Sequence, residues 1–318
     1  MALLSAVLLA RPAAANSPLE TGQQQFAAGR YREAAATLRA AADRQSGDAR
    51  VQFWLARSYY ELRDFENAVS SAERAVALES GNSEYHLWLG RAYGQKAKRA
   101  GIFSAYGLAR KTREMFARAI QLDRRNLAAW RDLITYDLRA PGIAGGGDDK
   151  AKNEVEELER LDAVEGHLAR AEYWQDQKRP DLAEAEYRKA LELKPAGVKP
   201  YLEIAEFYAT RQNGAALEQV VEAAVRVDAR DPRLLFFRAL AYVTQNQKLP
   251  DAEQLLKAYL STVPPRSDRP SPAAAHELLG KLYEKQGKRQ EAAAEFKAAL
   301  RLEPKRKGAS DALKALQP

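Results

Sequence analysis

An all-α array of stacked helical hairpins is the fold this sequence predicts, and three observations carry that expectation. Alanine makes up about a fifth of the 318 residues, with Leu, Glu, Arg and Lys abundant, a helix former's composition. One slot recurs along the chain, occupied in turn by Ala34, Ala68, Thr112, Ala151, Ala183, Leu217, Ala252 and Ala292. The intervals are 34, 44, 39, 32, 34, 35 and 40 residues, a period typical of repeat arrays. Third, there is no Cys and there are only three His. Disulfide scaffolds, zinc fingers, iron–sulfur centres and cysteine nucleophiles are thereby excluded, and little room is left for His-based chemistry.

The N-terminus comes first. Residues 2–10, ALLSAVLLA, are apolar and lead through Arg11-Pro12 to Ala13-Ala14-Ala15. This reads as a secretory signal peptide cleaved near Ala15, so the expected location is periplasmic or secreted. This nine-residue run falls short of the roughly 20 that span a bilayer.

The repeats follow. The clearest is LGKLYEKQGKRQEAAAEFKAALRLEP at 279–304, with Leu279-Gly280, Tyr283, Ala292, Phe296, Ala299 and Pro304 at fixed spacings. Earlier copies are Leu55-Ala56, Tyr59, Ala68, Ala72, Ala75; Ala171, Trp174, Ala183, Tyr187, Ala190, Pro195; Ile204-Ala205, Tyr208, Leu217, Val221, Ala224; and Ala239, Tyr242, Ala252, Leu256. Small residues let two helices approach, and the Leu, Tyr and Phe between them fill the space at i, i+3, i+4. Each hairpin then has a face that only its neighbour can cover.

This pattern resembles the tetratricopeptide repeat. The resemblance implies a right-handed superhelical solenoid of about eight helix–turn–helix units, near 16–48, 49–82, 83–126, 127–163, 164–197, 198–231, 232–266 and 273–305. Residues 1–15 precede it, and 306–318 would be a capping helix and tail. It also implies a protein or peptide partner held in a concave groove. The family's clamp for chaperone tails uses Lys and Asn at slots that here hold Leu19, Gln23, Arg50, Trp54 and Trp88, so chaperone tails are not expected.

Two places depart from the repeat. About ten extra residues sit between the helices of the third unit, in GQKAKRAGIFSAYGLARKTREMF at 94–116. From Arg91 to Arg125 there are ten basic and two acidic residues, a local net of +8 against +7 for the whole chain. Lys96, Lys98, Arg99, Arg110, Lys111 and Arg113 are the candidate contacts to an anionic partner or a membrane headgroup surface, with Ile102, Phe103, Tyr106 and Leu108 among them. No specific nucleic acid is expected, and any membrane association would be peripheral. The fourth unit carries LRAPGIAGGGDDKA at 138–151. Its glycines could cradle phosphate, but no Walker lysine follows them, and Asp148 and Asp149 would repel it. The insert and this loop together resemble a variant of exported bacterial tetratricopeptide proteins. The stretch 148–166, with eight acidic and three basic residues, makes the array bipolar.

No catalytic, cofactor-binding or metal-ligating set emerges. His86, His167 and His276 each lie four residues before a small first-helix residue and read as core-edge side chains. No H-E-x-x-H, G-x-S-x-G or G-x-G-x-x-G motif is present, and no enzyme is expected. The groove side of the first helices instead yields Phe53, Trp54, Arg57 and Tyr60 in the second unit and Leu87, Trp88 and Arg91 in the third. Trp54 and Trp88, like Arg57 and Arg91, are 34 residues apart. Trp and Arg carry binding energy when desolvated.

Overall fold

The computed structural model describes residues 16–44 and 47–316. The signal-peptide reading falls on 1–15 and lies outside the described residues. Seventeen α-helices and one 3-10 turn account for the fold, with no strand among the described residues. The chain divides into two compact units, Met1–Gly81 and Asn82–Pro318, which are taken separately.

The first unit holds two hairpins, α1 (Pro18–Ala27) with α2 (Tyr31–Arg44) and α3 (Ala49–Glu61) with α4 (Phe65–Leu78). Ser17 starts α1 with a capping box: its hydroxyl takes the Glu20 N–H, and the Glu20 carboxylate takes the Ser17 N–H. Asp48 and Asp64 cap α3 and α4. The core of this unit joins Phe26, Tyr31, Leu38, Val51 and Leu55.

The second unit opens with α5 (Ser83–Ala97) and α6 (Ile102–Leu122), then α7 (Leu127–Arg139) and α8 (Asp148–Leu161) with the 3-10 turn Gly142–Ala144 between them. It continues through α9 (Ala163–Asp176), α10 (Pro180–Glu192), α11 (Val198–Thr210), α12 (Gly214–Val227), α13 (Arg233–Gln245) and α14 (Leu249–Thr262). The last hairpin is α15 (Pro272–Lys285) with α16 (Arg289–Leu302), closed by α17 (Lys307–Ala315). Ala309 of α17 is buried, and Ala312, Leu313 and Leu316 pack on the core. The helix thus covers a face of the α15–α16 hairpin.

The recurring slot has one structural meaning. Ala34, Ala68, Thr112, Ala151, Ala183, Leu217, Ala252 and Ala292 all lie on second helices and all are buried. Close approach explains the glycines facing these helices. A Cβ on Gly280 would come within 2.5 Å of the Phe296 ring, and one on Gly90 within 2.6 Å of the Phe116 ring. The first pair is 16 residues apart and the second 26. The third hairpin therefore keeps the packing contact of the last one and carries its ten extra residues beyond it.

Candidate functional site

The candidate groove residues of the first unit lie on α3. Phe53 is 9% exposed and Trp54 half-buried. Phe26 of α1 meets the Trp54 ring edge-on at 5.2 Å, and Phe53 does so at 5.9 Å. The Arg57 guanidinium lies 4.3 Å over Trp54, 4.9 Å over Phe26 and 5.5 Å over Phe53, a cation on three aromatic faces. Tyr60 packs edge-on against Phe65 at 5.5 Å. Phe53 is thus mainly a support for this cluster, while Trp54, Arg57 and Tyr60 keep partial exposure.

In the second unit the three candidates part company. Leu87 is 1% exposed and belongs to the core with Phe116, Trp130 and Leu133, so it has no surface to offer a groove ligand. One residue of helical rotation, 100°, separates it from Trp88, which stays half-buried and donates its Nε1–H to Glu84 at 2.8 Å. Arg91 lies 5.0 Å over the Trp88 ring and donates to Asp132 of α7 at 2.6 Å.

The sequence puts Glu172, Glu203 and Glu206 on the groove side of the later first helices, but it does not single out the arginine that gathers carboxylates next to it. Arg131 of α7 meets Glu165 of α9 at 3.0 Å, Glu172 of α9 at 3.4 Å and Glu203 of α11 at 2.6 Å. Burial alone would lower the Arg131 pKa, but Glu203, Glu172 and Glu165 together hold it above its ordinary value. Glu172 also accepts from Thr135 at 2.9 Å and from Arg139 at 3.2 Å. Glu206, one turn beyond Glu203, is exposed. Crowding by protein and then the Glu203 charge raise its carboxyl, against Arg233. The signal available in the sequence was Arg131, Glu165 and Lys199, charges of alternating sign at the 34-residue period. Lys199 does approach Glu165, at 3.7 Å.

The basic segment divides as well. Arg113 forks onto Asp137 of α7, with bonds of 2.8, 3.1 and 2.7 Å, and reaches Glu154 of α8 at 3.1 Å. The Asp137 side chain is wholly buried. Arg113 is therefore an internal ion-pair member rather than a contact for an anionic partner. Burial first, and Asp137 after it, pushes Glu154 up to about 8, against Arg113 and Lys150. Lys98, Arg110 and Lys111 are exposed, with Lys111 lying 5.3 Å over the Tyr93 ring. Lys96 is half-buried and Arg99 exposed. The acidic stretch after the loop is largely consumed inside the molecule: Glu154 meets Arg113, Glu157 meets Arg124, Glu159 meets Arg170 and Glu165 meets Arg131. The bipolar charge pattern of the sequence is to that extent folded against itself.

The glycine-rich loop is occupied by its own chain. Tyr136 donates to the Ala144 carbonyl at 2.7 Å, and Lys150 to the Gly145 carbonyl at 2.7 Å. A Cβ on Gly146 would lie 2.0 Å from the Ala140 carbonyl oxygen, so glycine there serves close backbone approach. Asp148 accepts from Gln177 at 2.7 Å and Tyr173 at 3.1 Å. These contacts hold the loop against its own chain.

The histidines sit at the core edge. His86 is buried, while His167 and His276 each present Nδ1 to a second-helix carboxylate, Glu186 at 2.7 Å and Glu295 at 2.6 Å. Both pairs are 19 residues apart. Among the described residues no cluster of His, Asp and Glu could hold a metal ion, and no helix is long and apolar enough to cross a membrane.

Comparison with known proteins gives the same architecture. Models described as tetratricopeptide repeat match residues 19–83, 55–100, 168–196, 201–268 and 273–306, about two thirds of the chain. No curated protein matches it in sequence. Among solved structures, yeast Tom70 is 14% identical with a TM-score of 0.63, covering 99% of this chain and 66% of its own. The APC/C hetero-tetramer Cut9-Hcn1 is 15% identical, TM-score 0.54, covering 95% of this chain and 55% of its own. A thermophilic TPR protein of Thermus thermophilus is 24% identical, TM-score 0.48, covering 60% of this chain and 96% of its own. At these identities the likeness is one of fold, and the fold is generally a non-enzymatic scaffold for protein–protein contacts. The chain belongs to the tetratricopeptide repeat family.

Proposed function

We propose that this protein is a non-enzymatic scaffold that holds a peptide or protein segment against the exposed side of its first helices, in an exported location. The observation that carries the reading is the charge arrangement on α7, α9 and α11. Three carboxylates, from Glu165, Glu172 and Glu203, share one buried cation, Arg131, with Arg139 and Lys199 at the margin, and Glu206 adds a fourth carboxylate beside Glu203. Glu206 is exposed and carries a raised carboxyl, so a cation arriving from a partner would relieve the repulsion from Glu203. The partner segment accordingly carries Lys or Arg. Trp88 with Arg91, and in the first unit Trp54 with Arg57, supply the half-buried aromatic and guanidinium surfaces that anchor such segments. The apolar run at 2–10 and the alanines before Asn16 support export.

The test is selection from a peptide array by the purified chain. Retained peptides should be enriched in Lys and Arg, and Glu206→Gln should weaken them about fivefold or more, the scale of one charge contact. A Trp54→Ala, Trp88→Ala double variant should weaken them further. Retention of acidic peptides, or retention indifferent to both variants, would sink the reading.

A further inference from the structure

Among the described residues, the end of the α5–α6 hairpin stands apart. The last buried residue of α5 is Tyr93 and the first of α6 is Thr112. Between them, from 94 to 111, no residue is buried. The helix α6 has 21 residues, against 14 in α2, α4, α8, α12, α14 and α16. Its first turn contains no acidic residue, and no Asp or Glu occurs in the sequence between Glu84 and Glu114.

At the start of that helix, Phe103 is 93% exposed, Ile102 65% and Tyr106 37%. At 100° per residue these three side chains fall within about a quarter of the helix circumference, and Arg110 follows Tyr106 one turn on along the same stripe. Lys98 and Arg99 lie in the turn immediately before the helix, and both are exposed. An aliphatic, a phenyl and a phenol in a row, with cations before and behind and no carboxylate in between, is the chemistry of a bilayer interface. The apolar groups enter the acyl boundary, the phenol stays at headgroup level, and Lys and Arg meet phosphate while their stems lie along apolar surface. Nucleic acid would use the cations but gives no return for exposing Ile102 and Phe103. A protein groove would call for an anionic rim around a narrow apolar slot.

We propose that the tip of the α5–α6 hairpin, Ile102, Phe103 and Tyr106 with Lys98, Arg99 and Arg110, docks this protein on an anionic phospholipid surface. The peptide-binding face on α7, α9 and α11 uses none of these residues, so the two functions stand or fall separately.

The experiment is co-sedimentation of the full chain with vesicles of phosphatidylcholine alone and of equimolar phosphatidylcholine and phosphatidylglycerol. Binding is expected on the anionic vesicles, and it should weaken as salt rises. An Ile102→Ser, Phe103→Ser double variant should lose about tenfold or more in partitioning. Lys98→Gln and Arg99→Gln should each lose about fivefold, the scale of one cation near such a surface. These residues are exposed, and an unchanged circular dichroism spectrum confirms that each variant folds. Equal binding to both vesicle types, indifference to the Ser variant, or retention on heparin without vesicle binding would overturn the proposal. So would concentration-dependent self-association that the Ser variant abolishes without any vesicle binding.

Discussion

The basic segment from Arg91 to Arg125 has a base and a tip, and the two use the same residue types for opposite ends. At the base, Arg91 is met by Asp132, Arg113 by Asp137 and Glu154, and Arg124 by Glu157. The arginines tie α5 to α7, α6 to α7 and α8, and the turn after α6 to α8. At the tip, Lys98, Arg99, Arg110 and Lys111 are exposed, and their neighbours are apolar. The difference comes from reach. The second helix of a hairpin lies against the following hairpin only along its packed length, which for α6 begins at Thr112. The cations at the tip lie beyond that point and are exposed, and local net charge therefore says little about function until the packed length is known.

The sharpest way to break this comparison is to truncate one arginine from each part. Removing Arg113 leaves Asp137 wholly buried with its bidentate partner gone. The cost of stranding a buried charge is about 3–5 kcal/mol. Arg113→Ala should therefore lower the urea midpoint of the second unit markedly and expose α7 and α8 amides to hydrogen exchange. Arg110→Ala should stay within about 0.5 kcal/mol of the parent, as surface changes do. Equal effects from the two would mean that the base and the tip are not different in kind.

Glu154 sharpens the picture of the base through pH. Its carboxyl titrates near 8 in the folded chain against an ordinary value of 4.5, because burial and Asp137 oppose its charge. Between those two values the folded chain keeps a proton that the unfolded chain has released. Stability from this group is thus full below about pH 4.5 and is lost as pH rises through about 8. The fall in stability from pH 5 to pH 9 should be on the order of a kcal/mol or more. Glu154→Gln should flatten this part of the profile, since a neutral amide keeps the shape and has no proton to lose. A Gln variant with the parent's pH profile would rule the assignment out.

How far the sequence reached can be judged on these same residues. The recurring slot from Ala34 to Ala292 was legible because packing two helices closely constrains side-chain size, and size is written in the sequence. The extra length of the third hairpin was legible for the same reason, as the Gly90–Phe116 and Gly280–Phe296 contacts differ by ten residues in spacing. Leu87 and Trp88 show where resolution fails. Adjacent positions on a helix differ by 100°, so an error of one residue in phase exchanges core for surface. Arg113 and Arg131 show a deeper limit. Both are set by carboxylates 24 to 72 residues away, and nothing local to an arginine tells a paired one from a solvated one. The one clue, the alternating charges at 131, 165 and 199, becomes visible only after the period is known.

Arg124 is the mildest test, because it shares the base with Arg113 but not its burial. Its guanidinium lies 3.2 Å from Glu157, with the two side chains 65% and 40% exposed. Water and salt screen such a pair, and exposed pairs contribute about 0–1 kcal/mol. Glu157 also keeps Arg160 on its own helix when Arg124 is removed. The contribution of residue 124 to packing runs through its backbone, whose carbonyl accepts the Trp130 Nε1–H at 3.0 Å, and an alanine there retains it. Arg124→Ala should therefore cost no more than about 0.5 kcal/mol in urea unfolding, with any loss vanishing at high salt. A loss comparable to that of Arg113→Ala would show that position in the base, rather than burial of the stranded carboxylate, sets the cost.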